Sequence, residues 1–439
     1  MKKTIGRRDF LKTSSIAALA GAPAVGIARA GNGTVAPSDQ VTLGVIGMGR
    51  QGMYNMEVFL GHPECRVAAV CDVYKPHLDR AVEETKAQAY TDFRQILERQ
   101  DIDAVVISTP DHWHPLMAVQ ACQAGKDVYV EKPISIAVAE GRAMVEAARR
   151  HGRIVQVGTQ QRSGTHFQKA VQLVRAGELG RVTSVRTWNF GNSFPNGIGN
   201  PPDSDPPEGL DWDLWLGPAP KVPFNLNRFG VGDRWSTFRY FWDYAGGMMT
   251  DWGVHLLDIV QWAMDVDAPQ NVSASGAKFV LQDNRETPDT LTVTYEYPEF
   301  ICTYENRDCN SYGVNGHGYG IEFYGTKGTM FLDRSGFEVI PQTRREEERR
   351  IPLMYAMQQS QSNHSNHDHT RDFLDCMKSR KEPISDIEIG HRSTTTCLLA
   401  NISYLTGRRL VWDREKEQIV GDEEANKMLA RRYRNPWSL

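Results

Sequence analysis

The stretch VTLGVIGMGRQG, residues 41–52, decides the fold of this 439-residue chain. An apolar run of strand length ends in Gly47-x-Gly49-x-x-Gly52, and the helix-like segment Met53 to Leu60 follows. A second apolar run, VAAVCD, closes on Asp72, twenty residues after Gly52. Strand, glycine turn, helix and a later acidic residue together form the dinucleotide-binding fingerprint. Each glycine has its own task. Gly47 permits the tight turn, Gly49 lets backbone amides approach a pyrophosphate, and Gly52 allows close packing of helix on strand. The helix N-terminus supplies a positive field for phosphate. Met48, Arg50 and Gln51, between the glycines, belong to the same cofactor loop. Asp72 can accept hydrogen bonds from ribose hydroxyls and would repel a 2′-phosphate, so NAD is expected rather than NADP.

Working outward, the alternation continues. DAVVISTP (103–110) reads as a strand, PLMAVQACQAG (115–125) as a helix, DVYVEKP (127–133) as a strand. A helix from Ala137 to His151 and the strand RIVQVGTQ (153–160) follow. Strands separated by helices imply a doubly wound, mainly parallel sheet with ligand groups at the strands' carboxyl ends. That rule selects the loop Thr109-Pro110-Asp111-His112-Trp113-His114, then Glu131-Lys132-Pro133, then Thr159-Gln160-Gln161-Arg162. The domain is expected to span 41–160.

The second half reads differently. RVTSVRTWNFG (181–191), NVSASGAKF (271–279), LTVTYEY (291–297), ICTYENR (301–307) and IEFYGTKGTMFLD (321–333) are strand-like, and no helices separate the later members. This predicts a second α/β domain over 161–410 with an open, mainly antiparallel sheet. Residues 192–245 form an insertion rich in Pro, Gly and aromatics, and 411–439 reads as a polar tail. QTRREEERR (342–350) reads as a solvated surface stretch, and 369–380 and 391–405 as helices.

These motifs resemble the Gfo/Idh/MocA oxidoreductases, a family that includes glucose–fructose oxidoreductase and inositol dehydrogenase. The resemblance rests on GxGxxG, on Thr109-Pro110 with His114, on GKDVYVEKP ending in Glu131-Lys132-Pro133, and on GGMMTDWGVHLLD (246–258). It implies a Rossmann domain followed by an α/β domain, and an open sheet that packs against another subunit as a homodimer or homotetramer. It also implies catalytic positions for Lys132, Asp251 and His255.

The chemistry of those side chains suits that assignment. Oxidation of an alcohol by hydride transfer needs a base for the hydroxyl proton and a group that stabilises alkoxide character. Asp251 and His255 stand four residues apart, on one face if helical. His255 is the candidate base, because imidazole titrates near neutrality. Lys132 would hold the reacting oxygen, and Asp251 would contact substrate hydroxyls or the base. Seven of the ten Trp (188, 212, 215, 235, 242, 252, 262) lie within 75 residues. Aromatic planes suit the apolar faces of sugar rings, so Trp242 joins Gln160, Arg162, Lys132, Asp251 and His255 as a substrate contact, with Gln161 and Arg186 as further polar groups. The substrate expected is a sugar, sugar derivative or polyol.

No metal is expected. His364, His367, Asp368 and His369 form an H-x-x-H-x-H run without a helical i, i+4 pair or a thiolate. Seven Cys at irregular spacing do not resemble a disulfide scaffold, with Cys302 and Cys309 the nearest pair in the second half. His317 sits in a glycine-rich loop.

At the front, GRRDFLK (6–12) carries Arg7-Arg8 before Phe10 and Leu11. A basic start, the Ala-rich stretch Thr13 to Ile27 and Ala28-Arg29-Ala30 make residues 1–30 a twin-arginine export signal, with a linker over 31–40. The expected product is a periplasmic protein without a membrane anchor. Removing six basic residues and one acidic moves the formal charge from −4 to −9, which argues against nucleic acid as partner. An NAD enzyme exported already folded must carry its cofactor bound tightly. Three activities remain open. They are a dehydrogenase or sugar–sugar oxidoreductase, a redox-neutral NAD-dependent glycosidase, and a sugar-binding protein that retains structural NAD. The intact EKP motif resembles the dehydrogenase branch.

Overall fold

The computed structural model describes residues 40–230, 236–361 and 363–439. The segment read as an export signal, the linker to residue 39, and Trp235 lie outside the described residues. Helices of ten residues or more are numbered here.

Six parallel strands form the first sheet: β1 (Val41–Ile46), β2 (Cys65–Cys71), β3 (Gln88–Tyr90), β4 (Ala104–Ile107), β5 (Asp127–Val130) and β6 (Val155–Val157), in the order 3-2-1-4-5-6. Helices α1 (Arg50–Leu60), α2 (Lys75–Thr85), α3 (His114–Gln123) and α4 (Val138–Arg150) alternate with them. All six residues of β1 are buried, as a central parallel strand covered on both faces requires. In α1, Met53, Met56 and Phe59 fall at helical spacing and enter the core. The strand order reverses between β1 and β4, which opens a crevice at the carboxyl edge.

Helix α5 (Thr165–Arg175) leads into a ten-stranded sheet. Its strands are β7 (Val182–Phe190), β8 (Asn271–Ala277), β9 (Thr290–Glu296), β10 (Ile301–Arg307), β11 (Tyr319–Gly325), β12 (Gly328–Asp333), β13 (Gly336–Pro341), β14 (Met357–Ser360), β15 (Leu410–Asp413) and β16 (Gln418–Ile419). They lie in the order 14-13-12-11-7-10-9-8-15-16, antiparallel except for the parallel pair β7–β10. In β9 only Leu291, Val293 and Tyr295 are buried, the alternation of a sheet covered on one face. The covering layer is α5, α6 (Gly253–Met264) and α8 (Ile387–Thr406). No helix among the described residues is long and apolar enough to cross a membrane.

Three expectations are corrected. The run 321–333 is not one strand: β11 and β12 turn at Thr326-Lys327 between two glycines. Residues 342–350 are exposed as expected but form a two-stranded ribbon. Residues 411–439 are not a free polar tail. Leu410 and Val411 pair with β8, and Trp437 packs on Trp113 with ring centroids 4.9 Å apart. Helix α7 (Ser365–Ser379) likewise crosses back to the first domain, where Phe373 and Leu374 share a core with Phe59 and Tyr129.

All seven cysteines are unpaired. The 364–369 run does not converge. His369 is buried against Ser163 Oγ (2.8 Å) and the Val157 carbonyl (2.9 Å), whereas His367 stacks on His62.

Candidate active site

One cavity of about 970 Å³ runs from the glycine loop to α6. At one end lie Gly47, Gly49, Arg50, Gln51 and Asp72; at the other, Lys132, Gln160, Asp251, Trp252, His255 and Arg334.

The glycine loop fits a dinucleotide. Gly47 takes φ +87°, and a Cβ there would meet the Ser108 backbone at 2.8 Å. A Cβ on Gly52 would lie 1.7 Å from the Gly47 carbonyl oxygen. At Gly49 a Cβ would meet only His77 Cε1, at 3.9 Å, so this residue faces open space where a phosphate can approach. Helix α1 begins there with no side-chain cap, leaving its first amides for an anion. Met48 and Gly52 do not reach the cavity wall. The Met48 side chain is fully buried in the core, while its amide donates to Asp72 Oδ2 at 2.6 Å. Asp72 also accepts from the Tyr74 amide (2.8 Å), and His77 and Arg80, which no motif singled out, line its surroundings.

Thr109, Pro110 and His114 border the middle of the cavity. His114 faces two carbonyls, Pro133 and Thr109, each at 2.8 Å, and burial pushes its imidazole down to about 4. Glu131 accepts from Asn55 (2.9 Å) and Gln51 (3.1 Å), and burial raises its carboxyl despite these donors. His112 is fully buried, approaching the Trp215 carbonyl at 3.2 Å, and anchors the insertion to the first domain.

The reactive end is built from three directions. Lys132 leaves the end of β5 and donates to Asp251 Oδ1 (2.7 Å) and to the Asp251 carbonyl (2.8 Å). Asp251 ends a short helix, 247–251, which breaks at Trp252 before α6 begins. Arg239, from the insertion, meets the same Asp251 Oδ1 with its Nε at 2.7 Å. Burial opposes charge on Asp251, but Arg239 and Lys132 outweigh it and hold the carboxyl well below the usual range. Asp251 is therefore the anchor of two cations, and no hydrogen bond joins it to His255 among the described residues. Asp111 sits beside this cluster. Burial, opposed by Arg239 and Lys132, lifts its carboxyl to about 7.

His255 is buried, and its Nδ1 has no hydrogen-bond partner. Burial, then the charges of Lys132 and Arg334, push the imidazole well below its ordinary value. It is a neutral ring on the cavity wall. Gln160 Oε1 is likewise buried without a partner on the cavity wall.

Two expected substrate contacts lie elsewhere. Arg162 is absent from the cavity wall and pairs with Asp258 through Nε (2.8 Å) and Nη2 (2.9 Å), the two side chains 6% and 1% exposed. Trp242 packs against Tyr404 (6.3 Å) and gives its amide to Glu286. Arg186 pairs with Glu305 on the second sheet, and His317 with Asp333. Of the clustered tryptophans, Trp188 is core and Trp212 stacks on Trp215, while Trp215 and Trp252 face the cavity with Trp113, Phe229 and Phe238. Arg239 and Arg334 are the site residues the motifs missed, whereas Asp111 was selected only as one member of a loop. The two arginines carried no local signal.

Residues 41–159 match the NAD-binding Rossmann-fold domain of the Gfo/Idh/MocA oxidoreductase family, and residues 164–439 match that family's C-terminal alpha/beta domain. The chain belongs to the Gfo/Idh/MocA family. Among its relatives in this family, the uncharacterized oxidoreductase YrbE of Bacillus subtilis is 25% identical over 301 residues, 67% of this chain and 74% of that one. A glycosyl hydrolase family 109 protein of Shewanella baltica is 33% identical over 204 residues, 40% of this chain and 44% of its own length. The WlbA dehydrogenase of Bordetella pertussis, solved with NADH and UDP-GlcNAcA, superposes with a TM-score of 0.63 at 20% identity, covering 85% of this chain and 99% of that one. Levoglucosan dehydrogenase, solved with NADH and levoglucosan, gives 0.64 at 17% identity, covering 85% and 99%. At those identities the likeness is one of fold. Like its family, the chain is an NAD-binding oxidoreductase.

Proposed function

We propose that the protein oxidises a CH–OH group of a sugar, sugar derivative or polyol. The observation that carries this reading is the continuity of one cavity from the Gly49 phosphate approach to the Lys132, Asp251 and His255 cluster. NAD, when bound, supplies a hydride acceptor. Gly47, Gly49, Arg50 and Gln51 would hold its phosphates, and Asp72 its ribose, which favours NAD over NADP.

The remaining chemistry belongs to this chain. The Lys132 ammonium, fixed by two contacts to Asp251, donates to the substrate oxygen and stabilises its alkoxide character. The neutral His255 imidazole, on the cavity wall, takes the hydroxyl proton. The Trp252 indole on the cavity wall gives an apolar surface for a pyranose ring. Removing a developing-charge stabiliser typically costs roughly 10²–10³ in turnover. His255→Ala is expected to abolish cofactor reduction while NAD and sugar still bind. Unchanged turnover would mean that this residue is not the base. If wild type reduces NAD with no sugar or polyol of a broad panel, the reading as an enzyme gives way to a sugar-binding protein that retains NAD.

The tight hold on NAD, export by the twin-arginine route to the periplasm, and assembly through the outer face of the ten-stranded sheet belong to the same proposal. Protein purified without added cofactor and then denatured should release one NAD per chain, read by mass spectrometry. An empty protein removes the argument for a cofactor carried through export. A second reading, a redox-neutral glycosidase, is favoured by the family 109 relative. It predicts release of a glycosidic group with no net change in NADH absorbance.

A further inference from the structure

Arg334 sits in the two-residue turn between β12 and β13, and its guanidinium reaches the cavity. The turn is tightly held. Asp333 accepts from the Ser335 amide (2.7 Å) and hydroxyl and from His317 Nδ1 (3.0 Å). Gly336 takes φ +150°, where a Cβ would meet the Gln359 carbonyl oxygen at 2.2 Å. The neighbouring carboxylate is therefore occupied and does not serve the arginine.

The guanidinium itself is poorly satisfied. It has five N–H donors, and its one hydrogen-bond acceptor among the described residues is Gln161 Oε1, at 3.4 Å from Nε and 3.5 Å from Nη2. Both contacts are at the long limit for an N–H···O bond. Its other support is the Trp252 ring, 4.9 Å from Cζ. Among the described residues no carboxylate forms an ion pair with it, unlike Lys132 and Arg239, which share Asp251. A partly buried cation with unfilled donors is costly unless something completes it. His255 borders the same indole at 6.3 Å between centroids, so Arg334 and the base both stand against Trp252 on the wall of one cavity.

We propose that Arg334 binds an oxyanion of the substrate, so that the sugar oxidised is an acidic one, carrying a carboxylate or a phosphate. This rests on the reading of the site as a sugar oxidoreductase and names its substrate class. A planar guanidinium fork matches both anions through paired N–H bonds.

The test separates the two ideas. Full-length protein loaded with NADH, so that no turnover occurs, is titrated calorimetrically with a panel of hexuronates, their uncharged methyl esters, hexose phosphates and the parent hexoses. At least one acid is expected to bind roughly ten- to a hundredfold tighter than its neutral counterpart, the range of a charge-assisted hydrogen bond. Arg334→Gln should erase that preference, Arg334→Lys should keep part of it, and NADH affinity should stay unchanged in both. Preference for uronate over hexose phosphate, or the reverse, names the anion. The proposal is overturned if no acid outbinds its neutral partner, if the preference survives Arg334→Gln, or if the variant loses NADH affinity in step. Cofactor reduction is read separately. An acid that binds through Arg334 but never reduces NAD leaves the anion site standing and sinks the oxidoreductase reading. Oxidation of neutral sugars, indifferent to Arg334→Gln, does the reverse.

Discussion

Gly49→Ala and Gly52→Ala differ by one methyl at two places three residues apart, and the structure assigns them opposite consequences. At Gly52 the new Cβ would sit 1.7 Å from the Gly47 carbonyl oxygen, a backbone atom that cannot move without the whole turn. Overpacking of that kind costs about 1–3 kcal/mol or more. At Gly49 the backbone already holds φ −64°, ψ −168°, which any residue adopts, and the Cβ would meet only His77 Cε1 at 3.9 Å. Stability should stay within about 0.5 kcal/mol of wild type. The methyl occupies the space through which a pyrophosphate reaches the first amides of α1, so NAD affinity should fall at least about tenfold, or about 1.4 kcal/mol. Urea unfolding followed by Trp fluorescence must use protein stripped of nucleotide, because bound ligand stabilises by mass action. Calorimetry with NAD then reads the affinity. The reasoning is refuted if Gly49→Ala unfolds as readily as Gly52→Ala, or if it binds NAD as wild type does.

Acid stability follows from two buried imidazoles. His114 and His369 are pushed by burial to about 4, whereas in the unfolded chain they titrate near ~6.5, so the unfolded state binds protons first. Their contribution is present above about pH 6.5 and lost as pH falls towards 4, at up to ~3 kcal/mol each; stability unchanged between pH 7 and 5 would contradict it. Asp111 behaves oppositely. Its folded carboxyl, raised by burial to about 7, lies above the unfolded ~3.9, so stability is lost as pH rises through 7. Asp111→Asn should be more stable than wild type at pH 8 by up to ~4 kcal/mol, with the gap narrowing below pH 7 and closing near pH 4; a gap independent of pH rules out Asp111 as the titrating group. Arg162→Met strands the buried Asp258 carboxylate and should cost about 3–5 kcal/mol in chemical denaturation, most of it restored by adding Asp258→Asn. If the double variant is no better than the single, the loss is one of packing.

Local chemistry explains what could be read from the sequence. Gly47, Gly49, Gly52 and Asp72 act through a turn and the strand beside it, so their spacing carries their meaning. Lys132, Asp251 and His255 were legible as motifs, and the structure lines one cavity with all three. What escaped depends on long-range packing. Arg162 stands at a strand end where ligands are expected, but its partner is 96 residues away and engages its Nε and Nη2. Arg239 is one arginine among many until the insertion folds it onto Asp251. Trp242 shares its neighbourhood with cavity tryptophans, and only its contact with Tyr404 turns it aside. The Thr326-Lys327 turn was hidden inside an apolar run because buried residues continue on both sides of it, 320–323 in β11 and Gly328, Met330 and Leu332 in β12.

The crossing of α7 and the last residues back onto the first domain bears on how the protein is made. Phe59 and Tyr129 complete their aromatic cluster with Phe373, at 6.0 Å from each, and Glu140 awaits Arg431 at 2.6 Å. While a ribosome is still translating the middle of the message, the nucleotide domain stands translated but unfinished, with an apolar seam along α1 open to water. Cutting the gene after residue 160 would fix that interim state permanently. Chaperone occupancy should therefore persist until residues 365–379 emerge, and any machinery that inspects the N-terminus for a finished protein must wait for the C-terminus to arrive.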